Sequence, residues 1–322
     1  MENKIISLLS AVLRILLKEH RLPYRNEISS ASRKIKLLIP RYKNIIFLIP
    51  YSYAIGDILV LSPIARALKK GNDSIVVYVG SRRSIDLAKR IEDFDYVIND
   101  AGFNGLENRF NLKSVIRLPL DDFKKFKKDL IEVQWEKIRS NVIDDKTIRY
   151  RLREKDENIA KDIKEKYGDY LVFAPDAGPW SKKKMWLNGR WQKLIDLQAL
   201  PVVIVGTSKA PSLRHCIDLI NKTTIHEMAA LIKHCKLLVS LPSGPLWFAR
   251  IFEKEAIVIN GGYELPILTK YDKSYHFFTD LECSLCNVDP KKRCVNNMEC
   301  MRKITPEIVD KKIKEMISVV EK

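Results

Sequence analysis

An aspartate, Asp57, stands where a predicted strand gives way to a predicted helix. Residues 44–50 form a continuous apolar run, typical of a strand buried on both faces, and apolar residues at helical spacing follow over 56–70. Gly56 allows a tight turn between the two elements. A carboxylate at this place can serve as a general base in a cleft, but acidic residues are also favoured in a first helical turn by the helix dipole alone. The spacing by itself favours the structural interpretation.

Three consecutive lysines follow a second apolar strand pattern. They occupy 182–184, within the segment 174–191 that connects this strand to a predicted helix. Lysine charges beside a helix N-terminus can bind phosphate groups. The alternative is a solvated basic loop in which Trp186 and Trp191 anchor the chain in the core. The residues themselves favour neither interpretation.

A third segment, Ser243-Gly244-Pro245-Leu246, forms a predicted strand-to-helix turn. Ser243 is a good N-cap, Gly244 permits close approach of a ligand to the backbone, and Pro245 suits a first helical turn. Exposed amides at such a turn could hold a diphosphate. Because every α/β protein has several turns of this kind, the pattern alone is a weak functional signal.

Four of the six cysteines, Cys283, Cys286, Cys294 and Cys300, lie close together near the C-terminus. A CxxC pair with two nearby cysteines could bind zinc or iron tetrahedrally, whereas free thiols and disulfides are the alternatives. The bunching indicates a local site in a reducing compartment rather than a disulfide scaffold.

Other common catalytic signatures are missing from the sequence. The five histidines show neither metal-ligand nor triad spacing, and neither GxxxxGK[ST] nor GxGxxG occurs. The chain is therefore not expected to be a P-loop enzyme or an ordinary dehydrogenase.

Composition narrows the class of protein and its partners. A length of 322 residues suggests two domains, and 46% hydrophobic residues exclude a disordered or collagen-like chain. Lys+Arg 57 against Asp+Glu 40 gives a net charge of +17. This excess predicts an anionic partner, either nucleic acid, an acidic membrane surface or a phosphorylated substrate.

Strands and helices alternate along most of the chain, which predicts parallel sheets with right-handed crossovers. Strands are expected at 44–50, 74–79, 96–98, 170–174, 201–205, 236–240 and 256–259, and helices at 56–70, 86–92, 189–197, 225–235 and 245–252. The alternation of strands and helices stops over 120–166. This region is charged and is expected to form long, solvated helices. The pattern as a whole predicts an α/β protein with two Rossmann-like domains and a cleft between them. Ligands are expected at the carboxyl ends of the strands.

The predicted domain boundaries give three parts. Residues 1–43 form a basic, amphipathic N-terminal extension, 44–166 a first Rossmann-like domain, and 167–322 a second one with the cysteines and a C-terminal helix. The apolar stretch 5–17 is too short to span a membrane, and no secretory signal pattern is present. It is expected either to lie in a membrane interface or to pack on the protein's own surface.

Taken together and in order, these segments resemble glycosyltransferase family 9, the ADP-heptose:lipopolysaccharide heptosyltransferases. The likeness covers about residues 44–320. The matching stretches are 55–59 (IGDIL), Pro175-x2-Gly178 with Ser181-Lys182 and Lys184-x-Trp186-x4-Trp191, 203–206, 225–231 (IHEMAAL), Val239-Ser240 with Ser243-Gly244-Pro245, and Cys283-x2-Cys286 with Cys300-Met301-x2-Ile304-Thr305-Pro306. The resemblance implies the GT-B fold, in which two Rossmann-like domains with parallel sheets face each other across a cleft.

The family's activity would make the chain an inverting glycosyltransferase. The resemblance implies transfer of a sugar, heptose in the first place, from a nucleotide-diphosphate donor such as ADP-heptose to a lipopolysaccharide-core-type or other glycan. It makes Asp57 the catalytic base, with Gly56 in the turn near the active site. The donor-binding residues that it implies are Lys182, Lys184, Ser243, Gly244, Pro245 and Leu246. No cofactor is expected for catalysis, and a structural zinc or iron is expected at Cys283, Cys286, Cys294 and Cys300.

The expected partners are the nucleotide-sugar donor, a phosphorylated glycolipid or glycan acceptor and an anionic membrane surface; nucleic acid is not expected. This places the protein in the cytoplasm, peripherally on the inner face of the cytoplasmic membrane. The sequence departs from the family where Pro242 replaces the usual acidic residue and Trp247 a common histidine. The alternatives are therefore a protein O-heptosyltransferase with a metal-bound cysteine cluster and a basic binding module that has lost catalysis.

Overall fold

The structure, a computed structural model, describes most of the chain from residue 44 onward. The described residues are 44–70, 74–100, 103, 114–118, 127–139, 141–178, 182–207, 213–286 and 293–320. The predicted N-terminal extension over 1–43, with its amphipathic helix, lies outside them.

Four parallel strands form the first sheet, in the order β3-β2-β1-β4. Their bounds are β1 (Asn44–Ile49), β2 (Ser74–Gly80), β3 (Tyr96–Asn99) and β4 (Val115–Arg117). Asn44 lies opposite Ser74 and Leu48 opposite Tyr78 in the register of β1 with β2. Every residue of β2 is buried, as expected for a continuous apolar strand covered on both faces.

Six parallel strands form the second sheet, in the order β10-β9-β8-β5-β6-β7. Their bounds are β5 (Leu171–Ala174), β6 (Val202–Ile204), β7 (Ile217–Asp218), β8 (Leu237–Ser240), β9 (Ala256–Gly261) and β10 (Ser274–Phe278). The side chains of β5 alternate between two hydrophobic clusters, because successive residues of a strand point to opposite faces of the sheet.

Helices connect and cover the strands. They are α1 (Ile55–Leu59), α2 (Leu61–Lys69), α3 (Arg82–Ala88), α4 (Leu130–Glu136), α5 (Glu154–Tyr167), α6 (Asn188–Asp196), α7 (Ile225–His234), α8 (Gly244–Ile251), α9 (Glu299–Arg302) and α10 (Pro306–Val320). Local sequence determines where α7 begins. The side chains of Thr224 and Glu227 each accept a hydrogen bond from the other residue's backbone amide, which forms a capping box.

Three sequence expectations need correction. The helix predicted over 56–70 divides at Val60 into α1 and α2. The region 120–166 forms one long, mostly exposed helix in its described part, α5, as predicted. The other helix there, α4, is not long and solvated: it has seven residues, and its apolar face buries Leu130, Ile131 and Trp135. The short strands β4, β7 and β10 were not predicted, since two to five residues carry too little periodicity.

One hydrophobic cluster spans both halves of the molecule. It contains Leu48 and Tyr78 from the first sheet, and Val172 and Val258 from the second. The predicted α/β architecture is confirmed: the described residues form two parallel sheets, one in each half. The helices that follow β1 and β8 bring the carboxyl ends of the two sheets together, which defines the cleft.

Candidate functional site

Asp57 lies in the first turn of α1, directly after the loop that leaves β1. Its carboxylate accepts a hydrogen bond from the Ser52 hydroxyl, and the Ser52 oxygen accepts one from the Ala54 amide at 3.1 Å. Burial raises the pKa of Asp57, while the Ser52 hydrogen bond and the charge of Lys184 oppose that rise. A carboxylate held this way binds a proton more readily than a solvated one.

Lys184 extends from the second half of the molecule into the same space. Its ammonium Nζ lies 2.8 Å from Glu264 Oε2 and donates to the Pro242 carbonyl oxygen at 3.1 Å. It also sits 5.0 Å from the centre of the Tyr263 ring. The charges of Lys184 and Glu264 both act on the pKa of Asp57, so the three groups form one electrostatic cluster.

The three lysines of the predicted phosphate loop have different surroundings. They form a single 3-10 turn after β5. Lys182 is exposed, whereas Lys183 is buried and donates to the Cys286 carbonyl oxygen at 2.8 Å. The tryptophans behind the turn do anchor the core: Trp186 and Trp191 are almost fully buried and pack edge to face. The segment is therefore a fixed turn that directs Lys184 inward, rather than a solvated loop.

The predicted diphosphate turn lies at the start of α8. Ser243 occupies the N-cap position but makes no capping hydrogen bond with its side chain. Its hydroxyl instead donates to the carbonyl oxygens of Asp176 and Leu241, both at 3.2 Å. Pro245 and Leu246 are buried and support the helix start from behind. The part of Ser243, Gly244, Pro245 and Leu246 in donor binding stays a prediction.

Two glycines allow the walls of the cleft to meet. A Cβ atom on Gly56 would lie 2.4 Å from Trp247 Nε1, and one on Gly244 would lie 2.6 Å from Ile55 Cδ1. The start of α1 and the start of α8 therefore interlock, because each glycine leaves room for a side chain of the other helix. This contact brings Asp57 of the first half next to the diphosphate turn of the second.

The four clustered cysteines are free, partly buried thiols. Burial raises the pKa values of Cys286 and Cys300, and the charges of the neighbouring thiols raise them further. Within the residues that the structure describes, however, no group of three or more His, Cys, Asp or Glu side chains is arranged to hold a metal ion. The described geometry therefore does not fit the expected zinc or iron site.

Sequence reasoning missed two residues of this site, Glu264 and Ser52, and the contact that a third, Trp247, makes. Glu264 pairs with Lys184, Ser52 holds Asp57, and Trp247 fills the space beside Gly56. Position was the available signal for the first two, since both lie in loops after parallel strands, where ligands bind in such sheets. Nothing in the sequence indicated which side chains cross the cleft.

Comparison with known families gives a match over part of the chain. Residues 141–286 match the model of glycosyltransferase family 9 (heptosyltransferase). The matched segment includes Lys184, Ser243 and Gly244, but not Asp57. The resemblance to glycosyltransferase family 9 is confirmed. No curated protein sequence matches the chain.

Solved structures extend the likeness to the family's fold over 86% of the chain. A glycosyl transferase family 9 protein from Veillonella parvula superposes with a TM-score of 0.68 at 15% identity and is covered over 97% of its length. ADP-heptose LPS heptosyltransferase II from E. coli gives 0.65 at 14% identity and is covered over 100%. TibC, an iron-containing dodecameric glycosyltransferase from enterotoxigenic E. coli, gives 0.61 at 16% identity and is covered over 76%.

The predicted enzyme class, a glycosyltransferase, is supported by the family model that matches 141–286 and by the fold that these solved structures share with the chain. None of the helices in the described part of the chain is both long and apolar enough to cross a membrane.

Proposed function

We propose that this family 9-like protein transfers a sugar from a nucleotide-diphosphate donor to an acceptor hydroxyl, with inversion at the anomeric carbon. One observation carries the proposal. Asp57, which is partly buried and of raised pKa, shares an electrostatic cluster with Lys184, beside the glycine turn that opens α8. A base on one wall and an anion-binding turn on the other are what this reaction needs.

Asp57 acts as the general base in this proposal. As the acceptor oxygen forms a bond to the anomeric carbon, its proton passes to the Asp57 carboxylate. The Ser52 hydroxyl donates to that carboxylate and fixes its direction. Burial favours the reaction because a raised pKa brings the base closer to the operating pH.

The diphosphate leaves from the opposite wall. The bond between the anomeric carbon and the diphosphate oxygen breaks, and the negative charge remains on the leaving group. Lys184 and the backbone at 243–244 are the groups that would stabilise this charge, with Lys182 as a further donor contact at the rim. These residues bring positive charge and amides to the reaction without a metal ion.

Chemistry and the structural neighbours support a choice of donor and acceptor to test. TibC has been solved with ADP-D-beta-D-heptose, and ADP-heptose is therefore the first donor to test. A lipopolysaccharide-core-type glycan or another phosphorylated glycan is the acceptor class that suits a net charge of +17. The same charge supports peripheral association with an anionic membrane on the cytoplasmic side.

The test combines donor binding with turnover. Wild type, Asp57→Asn and Lys184→Met are melted with a panel of sugar nucleotides, and a donor at about 100 times its dissociation constant stabilises by about 2.7 kcal/mol. We expect one donor to stabilise wild type and Asp57→Asn equally, Lys184→Met to respond weakly, and only wild type to release nucleotide diphosphate with acceptor.

Two results would contradict this proposal. If no sugar nucleotide stabilises wild type, the chain does not bind donor, and the binding-module alternative takes its place. If Asp57→Asn keeps wild-type turnover, the base lies elsewhere.

A further inference from the structure

A second carboxylate of the cleft, Glu264, is fixed by its own loop. It follows β9, and its backbone carbonyl accepts a hydrogen bond from the side-chain amide of Asn260 at 2.6 Å. Asn260 is fully buried and the Glu264 side chain is 12% exposed. The carboxylate is therefore held in place rather than free to sample solvent.

This carboxylate determines where the Lys184 ammonium lies. Glu264 and the Pro242 carbonyl oxygen accept from the ammonium on two sides, at 2.8 and 3.1 Å. The Tyr263 ring lies beneath it. Pro242 immediately precedes the turn at 243–244, so the pair fixes the positive charge directly beside the start of α8.

We propose that Glu264 is a positioning residue, which aims the Lys184 ammonium at the donor diphosphate and offsets its charge at Asp57. The proposal rests on the proposed function. In this role Glu264 acts through Lys184 and through its own charge on the pKa of Asp57, without touching the reacting atoms.

Lys184 and Glu264 change the pKa of Asp57 in opposite directions. Four groups act on Asp57 or respond to it: Ser52, Tyr51, Lys184 and Glu264. Lys184 lowers the pKa of Asp57, and Glu264 raises it. Without the Glu264 charge, the pKa of Asp57 falls, because the opposing effect of Lys184 is no longer offset.

The alternative role is structural, with the ion pair merely joining the lysine turn to the loop after β9. A structural role predicts a loss of stability and of active fraction, but no movement of the pH profile. It also predicts that the effect on donor affinity is the same with or without Lys184.

The experiment measures kcat/KM against pH and the donor dissociation constant in matched variants. Glu264→Gln removes the charge and keeps the shape, and Glu264→Asp keeps the charge. Glu282→Gln is the control, because it removes an exposed carboxylate from a neighbouring loop. Lys184→Met and the Lys184→Met/Glu264→Gln double variant show whether Glu264 acts through the lysine.

We expect Glu264→Gln to move the acid limb of kcat/KM to lower pH and to weaken donor binding about tenfold, and Glu264→Asp to restore part of both. In the Lys184→Met background, the Glu264→Gln change should cost no further donor affinity. Glu282→Gln should match wild type.

The outcomes separate the two proposals. An active wild type whose acid limb is unmoved by Glu264→Gln overturns the role of Glu264 alone, as does an equal loss of donor affinity with Lys184 absent. A wild type that neither binds nor turns over sugar nucleotides overturns the proposed function, and the role of Glu264 with it. Circular dichroism confirms folding, and Glu264→Asp decides the question if Glu264→Gln does not fold.

Discussion

At the scale of single residues, Asp57 occupies an environment that works against its own charge. Burial is the largest influence on its pKa and raises it, and the Ser52 hydrogen bond and Lys184 only reduce that rise. Ionised Asp57 is therefore a cost to the folded state. Such a cost is characteristic of functional carboxylates, because a site selected for stability would solvate the charge or pair it directly.

Asp57→Asn should make the protein more stable at neutral pH. The pKa of Asp57 is higher in the folded state than in the unfolded state. As pH rises, the unfolded chain therefore releases this proton first, and the free energy of unfolding falls between the two pKa values. We expect the variant to melt about 1 to 3 °C higher than wild type at pH 7. Below the ordinary pKa of aspartate both forms are neutral, and the difference should disappear.

Thermal melts from pH 3.5 to 7.5 measure this difference. Asp162→Asn is the control, since the Asp162 side chain lies exposed on α5. A lower melting temperature for Asp57→Asn at pH 7 would mean that its charge is stabilising, contrary to the direction given above.

At the scale of elements, the cleft depends on how closely α1 approaches α8. Gly244 begins α8 against Ile55, and a Cβ atom would come 2.9 Å from the Ile55 Cβ, which cannot move without its backbone. Gly189 in the first turn of α6 has no atom within 4 Å of such a Cβ. The same substitution at these two glycines therefore has opposite expected effects.

Gly244→Ala should destabilise the protein by about 1 to 3 kcal/mol, because it forces two packed helix starts apart. Donor affinity should fall with it, since the substitution displaces the backbone beside Lys184. Gly189→Ala should be neutral or stabilise by up to about 1 kcal/mol, because alanine has the better helix propensity. Urea unfolding and donor titration of both variants give the comparison, and equal behaviour would contradict the interlocked packing.

The cysteine segment is a second element whose role stays a prediction. Lys183 ties this segment to the lysine turn through its hydrogen bond to the Cys286 carbonyl oxygen. If zinc or iron binds, the purified protein should contain about one equivalent per chain, and the pair Cys283→Ser/Cys286→Ser should lose it.

Elemental analysis of protein prepared under reducing conditions measures that content. Cys216→Ser, outside the segment, is the matched control. A metal content near zero in wild type would leave the four cysteines as structural thiols, as their present arrangement suggests.

At the scale of the whole molecule, the two halves are joined by polar contacts as well as by a shared core. Arg250 of α8 pairs with Asp129, the N-cap of α4, at 2.7 Å, with both side chains largely buried. His226 of α7 reaches Asp86 of α3 at 2.8 Å and also contacts the Tyr150 hydroxyl. These contacts couple the unfolding of one half to that of the other.

Arg250→Met should weaken this coupling. It leaves Asp129 without its charged partner in a buried position, which costs about 2 to 4 kcal/mol. Urea unfolding should show an earlier midpoint and a smaller slope, as expected when one half unfolds before the other.

Arg151→Met is the matched control for this experiment. It breaks an arginine–carboxylate pair of similar length, 2.8 Å, in which the arginine is 72% exposed. Its unfolding curve should overlay that of wild type. If Arg250→Met behaves like the control, the core alone joins the two halves.

The sequence determined the architecture because buried parallel strands are continuous apolar runs. The runs at β2, β5, β8 and β9 predicted strands where the structure has them, and Asp57, Lys184 and the turn at 243–244 fell at strand ends, where parallel sheets bind ligands. Capping signals such as Thr224 with Glu227 likewise act over four residues and can be recognised locally.

Only the tertiary structure decided which side chains meet across the cleft. Glu264 lies 80 positions after Lys184, and Trp247 lies 191 positions after Gly56, so no local pattern pairs them. The Ser243 hydroxyl turned away from its predicted cap because the carbonyls of Asp176 and Leu241 lay within reach. Local preferences fix the elements, whereas the packing of the two halves selects the partners of each polar group, and these partners set the chemistry of the site.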